Sequence, residues 1–152
     1  VAQAEAIAKG FDQVVFLDAA ERRWVEELGG MNLFFVFSDG SIQTPPLGGT
    51  ILPGITRDAL LTLAREDGIV VREEPYSIDQ WQADAESGRL TEAFACGTAA
   101  VVTPIGSVTG ANGAFSIGAG GPGQFTTRMK EKLVAIQRGL APDPHHWVMR
   151  LD

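Results

Sequence analysis

The stretch NLFFVFSDGSIQT, residues 32–44, decides how the rest of the chain is read. Asn32 to Phe37 is a run of aromatic and valine side chains, a composition suited to a strand. Ser38-Asp39-Gly40 supplies turn chemistry, and Ser41 to Thr44 reads as a returning strand. Strand, tight turn and strand predict a hairpin. Towards the N-terminus, WVEEL (24–28) predicts a second strand and QVVFLD (13–18) a short buried one. Towards the C-terminus, PPLGG (45–49) is a loop. A helix follows from Ile55 to about Glu66, with Leu60, Leu61 and Leu63 as its apolar positions and Gly68 as its stop. IVVREEP (69–75) predicts a strand. SIDQWQADAESG (77–88) predicts a helix with Ser77 as N-cap and Gly88 as stop. LTEAFACGTAAVVTP (90–104) reads as a strand interrupted at Gly97-Thr98 and resumed to Pro104. IGSVTGANGAF (105–115) reads as a hairpin. A glycine-rich loop, Gly118 to Gly123, leads into a last helix, Gln124 to Arg138, and the tail LAPDPHHWVMRLD is irregular. Strands outnumber helices, and hairpins join neighbours. The expected class is α+β: a curved, mostly antiparallel sheet or open pseudo-barrel with helices packed outside.

The chain has 152 residues, 45% hydrophobic and 20% charged, values of an ordinary single domain with a real core. Its net charge of -7 and pI near 4.8 argue against nucleic acid and anionic membrane surfaces as partners. No run approaches the ~18 apolar residues of a membrane span. Val1 to Gly10 shows no basic segment followed by an apolar block, so no signal peptide is predicted. The single cysteine, Cys96, rules out an internal disulfide and suits a reducing, cytoplasmic setting. VAQAEAIAKG (1–10) reads as the tail of a helix, with Lys9 in its last turn and Gly10 as its stop. A helix seen only from its tail, in a chain that does not start with Met, suggests a segment of a longer protein.

Four motifs bear on chemistry. In TILPGITRDALLTLA (50–64) a helix begins directly behind Pro53-Gly54. The free N–H groups and positive dipole end of such a mouth favour an anion, Gly54 permits close approach, and Thr56 adds a hydroxyl. The plainer account is that Thr56 only helps to satisfy the first turn. In ACGTAA (95–100), Gly97 breaks a strand, and Thr98 and Ala99 present a hydroxyl and backbone N–H groups; a simple bulge is the alternative. EELGGMN (26–32) sets two carboxylates before two glycines. Alternation would point one inward, where a carboxylate needs a cation or donors; a solvated edge pair is the alternative. GAGGPG (118–123) matches G-x-G-x-x-G formally, but no strand follows its helix to complete a βαβ unit, so a dinucleotide site is rejected. Adjacent His145-His146 do not converge on one metal, and no metal site is expected. Cys96 reads as a buried thiol with no nucleophile pattern around it.

Taken in order, EELGGMNLFFVF, TPPLGGTILPGITRDALL and FACGTAAVVTPIGSV resemble the C-terminal, cofactor-binding domain of branched-chain amino acid aminotransferases. These are fold-type IV enzymes that use pyridoxal 5'-phosphate. The resemblance covers nearly the whole chain. GGMNLFFVF and the tail IQRG…HHWV look closer to the branched-chain enzymes than to the D-amino acid aminotransferases or aminodeoxychorismate lyases of the same fold. The resemblance implies transamination of Leu, Ile and Val with 2-oxoglutarate in a homodimer, with amino acid and 2-oxo acid substrates. It places the cofactor phosphate on the N–H groups of Ile55 and Thr56, with Thr98 as a second contact. It assigns Glu27 to the pyridine nitrogen, the backbone at Ala99 to the substrate carboxylate, and Gly30 to the side of the substrate pocket. It implies that the Schiff-base lysine lies upstream of Val1, and that the small N-terminal domain is likewise outside this chain. Lys9, Lys130 and Lys132 do not match the lysine motif, so no catalytic residue is expected within the chain. The cysteine pair of the mammalian enzymes would fall at Ala100 and Thr103, so that redox switch is not expected here. A lyase or D-amino acid transaminase of this fold, or a non-catalytic domain that binds a phosphate ligand, remains the alternative.

Overall fold

The structure is a computed structural model that describes residues 2–149 and 151. Val1, in the expected helix tail, and Arg150 and Asp152, in the expected irregular terminus, lie outside the described residues. The described chain is α+β. A short helix α1 (Ala2–Ala8) leads into strands β1 (Val15–Leu17), β2 (Val25–Leu28), β3 (Met31–Phe37) and β4 (Ile42–Thr44). Helix α2 (Ile55–Glu66), β5 (Val71–Glu73) and helix α3 (Ile78–Ser87) follow. The C-terminal part holds β6 (Leu90–Gly97), β7 (Val101–Pro104), β8 (Ser107–Gly110), β9 (Gly113–Ser116) and helix α4 (Gln124–Gln137).

β3 is the axis of the seven-stranded sheet. It pairs with β6 along its length, with β2 at its start and with β4 at its end, all antiparallel. Its continuous apolar run now has a physical reason, because both faces are covered. Phe34 and Val36 pack under α2 and α4 with Leu60, Leu63, Met129 and Leu133. Leu33, Phe35 and Phe37 pack on the other face with Tyr76, Trp81, Leu90 and Phe115. Phe34 stacks on its ladder partner Phe94 at 5.1 Å. Cutting such a side chain back to alanine costs about 3–5 kcal/mol.

The local signals held where they were local. Ser77 caps α3 by accepting the Gln80 N–H at 3.1 Å, and Gly88 ends it at φ 79°. At the β3–β4 turn Asp39 accepts from the N–H and hydroxyl of Ser41.

Two readings need correction, and one strand direction is new. The segment 90–104 is not one interrupted strand. The chain reverses at 98–100, and β6 and β7 pair antiparallel, Gly97 opposite Val101. β1 is not buried: it is an edge strand, and Phe16 on it is 41% exposed. β5 runs parallel to β4, because α2 carries the chain across between them.

Candidate functional site

Asn32 is the point on which the site is built. It is 5% exposed, pairs with Glu27 on β2 and with Cys96 on β6, and opens the β3 run. Its Nδ2 donates to the Leu52 carbonyl at 2.9 Å, and a Cβ at Gly54 would run into its amide oxygen. Four segments therefore meet at one end of the sheet: the β2–β3 turn, the β6–β7 turn, the loop 45–54 and the mouth of α2.

The candidate residues make these contacts or sit within three positions of them. Glu27 faces Asn32 directly, and its Oε1 accepts the Leu52 N–H at 2.7 Å. Gly30 lies in the turn before β3, exposed, with nothing within 4 Å of an added Cβ. Ile55 and Thr56 follow Gly54; Ile55 is 86% exposed and Thr56 half-buried. Thr98 and Ala99 follow Cys96 and Gly97 in the exposed β6–β7 turn, and Gly97 packs against Met31.

Glu26 behaves otherwise than alternation predicted. The β1–β2 register steps from Phe16–Glu27 to Leu17–Val25, which leaves Glu26 unmatched in a bulge. Both carboxylates then reach the same loop, Glu26 bonding the Thr50 hydroxyl at 2.7 Å.

The three longer helices differ at their N-termini. Ser77 caps α3. The mouth of α4 is filled by Glu92 of β6, whose carboxylate accepts the N–H of Phe125 at 3.1 Å and of Thr126 at 3.3 Å. Sequence reasoning missed this role of Glu92; its one signal is a carboxylate opposite Val36 on a strand otherwise rich in small and apolar residues. The mouth of α2 has Gly54 as N-cap and no side-chain cap. Its first intrahelical bond is Asp58 N–H to the Gly54 carbonyl, so the earlier N–H groups are available to an anion.

Under that mouth lies Arg57, buried at 3% exposure. Its guanidinium bonds the Pro45 carbonyl at 3.1 Å and Glu73 at 2.9 Å, while its Nε finds no partner. Burial alone would raise the Glu73 carboxyl, but the bonds from Arg57 and Arg65 outweigh it and hold it below its usual range. Burial pushes the Cys96 thiol up to about 12 against the opposing charge of Arg57, so Cys96 is a packed side chain and not a nucleophile.

A family model described as Amino-transferase class IV matches residues 1–108. The chain belongs to the class IV aminotransferase family. It is 56% identical over 151 residues to a probable branched-chain-amino-acid aminotransferase of Streptomyces coelicolor, covering 99% of this chain and 41% of that protein. It is 51% identical over 154 residues to the branched-chain-amino-acid aminotransferase of Mycobacterium tuberculosis, covering 99% and 42%. Among solved structures it superposes on the Escherichia coli branched-chain amino acid aminotransferase with a TM-score of 0.80 and 36% identity, over 95% of this chain and 44% of that one. A T.th. branched-chain amino acid aminotransferase, solved in complex with N-(5'-phosphopyridoxyl)-L-glutamate, matches with a TM-score of 0.78 and 33% identity, over 96% and 44%. This class IV aminotransferase chain thus spans about two fifths of the length of the curated relatives it matches.

Other features of the aminotransferase chain fall outside this end of the sheet. A cavity of about 740 Å³ opens between β1, α3 and the β8–β9 ribbon and takes in none of the candidate residues. The G-x-G-x-x-G match leads into the α4 mouth that Glu92 already fills. His145 lies 2.7 Å from Glu66 and stacks on Trp147, which ties the tail to the end of α2. Among the described residues no cluster of His, Cys, Asp or Glu is placed to hold a metal, and no helix is long and apolar enough to cross a membrane.

Proposed function

We propose that this chain forms the cofactor-holding part of a pyridoxal phosphate-dependent branched-chain amino acid aminotransferase, acting on Leu, Ile or Val with 2-oxoglutarate. The observation that carries the reading is the α2 mouth. No side chain occupies it, whereas Ser77 caps α3 and Glu92 fills the mouth of α4, and it lies beside a carboxylate that still has one oxygen free of hydrogen bonds. The names of the relatives supply the substrate class, and one solved relative holds a phosphopyridoxyl group.

The residues fit such a group. The N–H groups of Ile55 and Thr56 bind its phosphate at the positive end of α2, and the hydroxyls of Thr56 and Thr98 donate to it. The Glu27 carboxylate, whose Oε1 accepts the Leu52 N–H, would hold the proton on the ring nitrogen. The backbone at Ala99 orients the substrate carboxylate. Gly30 leaves room for the substrate side chain. When bound, the cofactor supplies the electron sink for bond breaking at the substrate Cα.

Lys9, Lys130 and Lys132 do not belong to this constellation. In this reading the anchoring lysine and the domain that closes the site come from the part of such an enzyme that this segment does not span. The enzyme is a cytoplasmic homodimer, and the segment alone is inactive.

Titration of the ¹⁵N-labelled chain with pyridoxamine 5'-phosphate, which cannot react with lysines, tests the site. Amide shifts should gather at Ile55, Thr56 and Thr98. Thr56→Val should weaken binding about tenfold, as one hydrogen bond to a charged group is lost. Shifts confined to α4 or to the cavity beside β1 would overturn the reading.

A further inference from the structure

We infer that Asn32 is a positioning residue that fixes the acid for the ring nitrogen and the phosphate mouth as one unit. The assignment rests on the cofactor reading above and adds to it a residue with no ligand contact of its own. Leu52 is held at both ends of its backbone. Its N–H goes to Glu27 and its carbonyl to Asn32, and those two residues are ladder partners across β2 and β3. The same carbonyl accepts the Gly54 N–H at 2.8 Å, closing a three-residue turn through Pro53. That turn launches α2.

One buried amide thus joins the strand that carries Glu27 to the turn that sets the helix mouth. Its Nδ2 donates to Leu52, and its Oδ1 packs so close to Gly54 that a Cβ there would collide with it. A buried amide kept in an apolar strand costs desolvation, which its hydrogen bond offsets. An apolar side chain of similar size, such as leucine, keeps the volume and loses the donor. The loop would then be free to shift relative to Glu27, changing the span between the carboxylate and the mouth. A ligand that uses both ends loses affinity; one that uses only the mouth loses little.

The test compares two probes, pyridoxamine 5'-phosphate and inorganic phosphate, on the wild-type chain and on Asn32→Leu. The variant should speed exchange of the Leu52 amide about tenfold, weaken the pyridoxamine probe about tenfold, and change phosphate affinity much less. Equal losses for both probes, or no loss for either, overturn the assignment. If Asn32→Leu does not fold, Asn32→Ala removes the same donor to Leu52 without adding apolar bulk, and the same unequal loss is required of it. Failure of the wild-type chain to bind either probe overturns the cofactor reading and this assignment with it. Wild-type binding without the unequal loss overturns this assignment alone.

Discussion

Glu92 holds the N–H of Phe125 at 3.1 Å and so closes the mouth of α4 from a neighbouring strand. A Cβ at Gly123 would collide with the same carboxylate. The glycine there makes room for an internal anion, which is why the glycine-rich loop before α4 is not a phosphate cradle. Glu92→Ala leaves two N–H groups unmatched and is expected to cost about 1–3 kcal/mol. Gly123→Ala should destabilise as well, since Glu92 must move to admit it. Urea melts of the two variants against wild type check both, and neither should alter the Leu52 amide.

Glu27 and Glu26 are chemically alike but stand differently. Glu27 shares its face with Asn32 and the α2 mouth, while Glu26 sits in the bulge and bonds Thr50. In a full-length branched-chain aminotransferase carrying this segment in place of its own, Glu27→Gln should lower kcat by a factor of ~100 or more while the cofactor still binds. An amide cannot hold the ring nitrogen protonated. Glu26→Gln should stay within about threefold, the size of one exposed hydrogen bond. Steady-state kinetics and the cofactor absorbance decide the ranking, and the reverse order would place the acid one residue earlier.

The proposed site draws on none of the three lysines. Lys132 is paired with Asp67 at 2.6 Å, and Lys9 and Lys130 are exposed on α1's end and on α4. Pyridoxal 5'-phosphate followed by borohydride should therefore leave no stoichiometric label on any of them. Intact mass and peptide mapping read the result, and one full equivalent on a single lysine would contradict it.

Much of this fold is visible in short-range chemistry. Ser77 and Gly88 mark α3 because capping acts within a few residues, and the Ser38–Gly40 turn announces the β3–β4 hairpin. The α2 mouth is legible for the same reason, as Pro53-Gly54 ahead of a periodic apolar run. What the sequence concealed depends on distant partners. The β6–β7 reversal puts Val101, a β-branched residue, at φ 58°, so its own preferences point away from a turn. The bulge at Glu26 exists only through the register with β1. Asn32 reads as the first residue of a strand, and its hold on Leu52 needs the loop to come back twenty residues later. Glu92 reaches α4 across more than thirty.

Asp18 gives a prediction for acid. It is half-buried, and its carboxylate accepts the N–H groups of Glu21, Arg23 and Trp24 at 2.7, 2.9 and 2.8 Å. These donors hold its carboxyl at about 2, below the ordinary 3.8. The folded state therefore binds this proton less readily than the unfolded chain. The stabilisation is fully present above about pH 4 and is lost as pH falls towards 2. The turn concerned also carries the Asp18 N–H to Trp24 carbonyl bond and leads into β2, the strand of Glu27. Asp18→Asn should be less stable than wild type at neutral pH, because an amide is a weaker acceptor for three donors. Its stability should then fall less steeply between pH 4 and pH 2, so that the two curves draw together in acid. Urea melts at half-unit steps of pH measure this. Parallel curves across that range would mean that the turn does not depend on the charge.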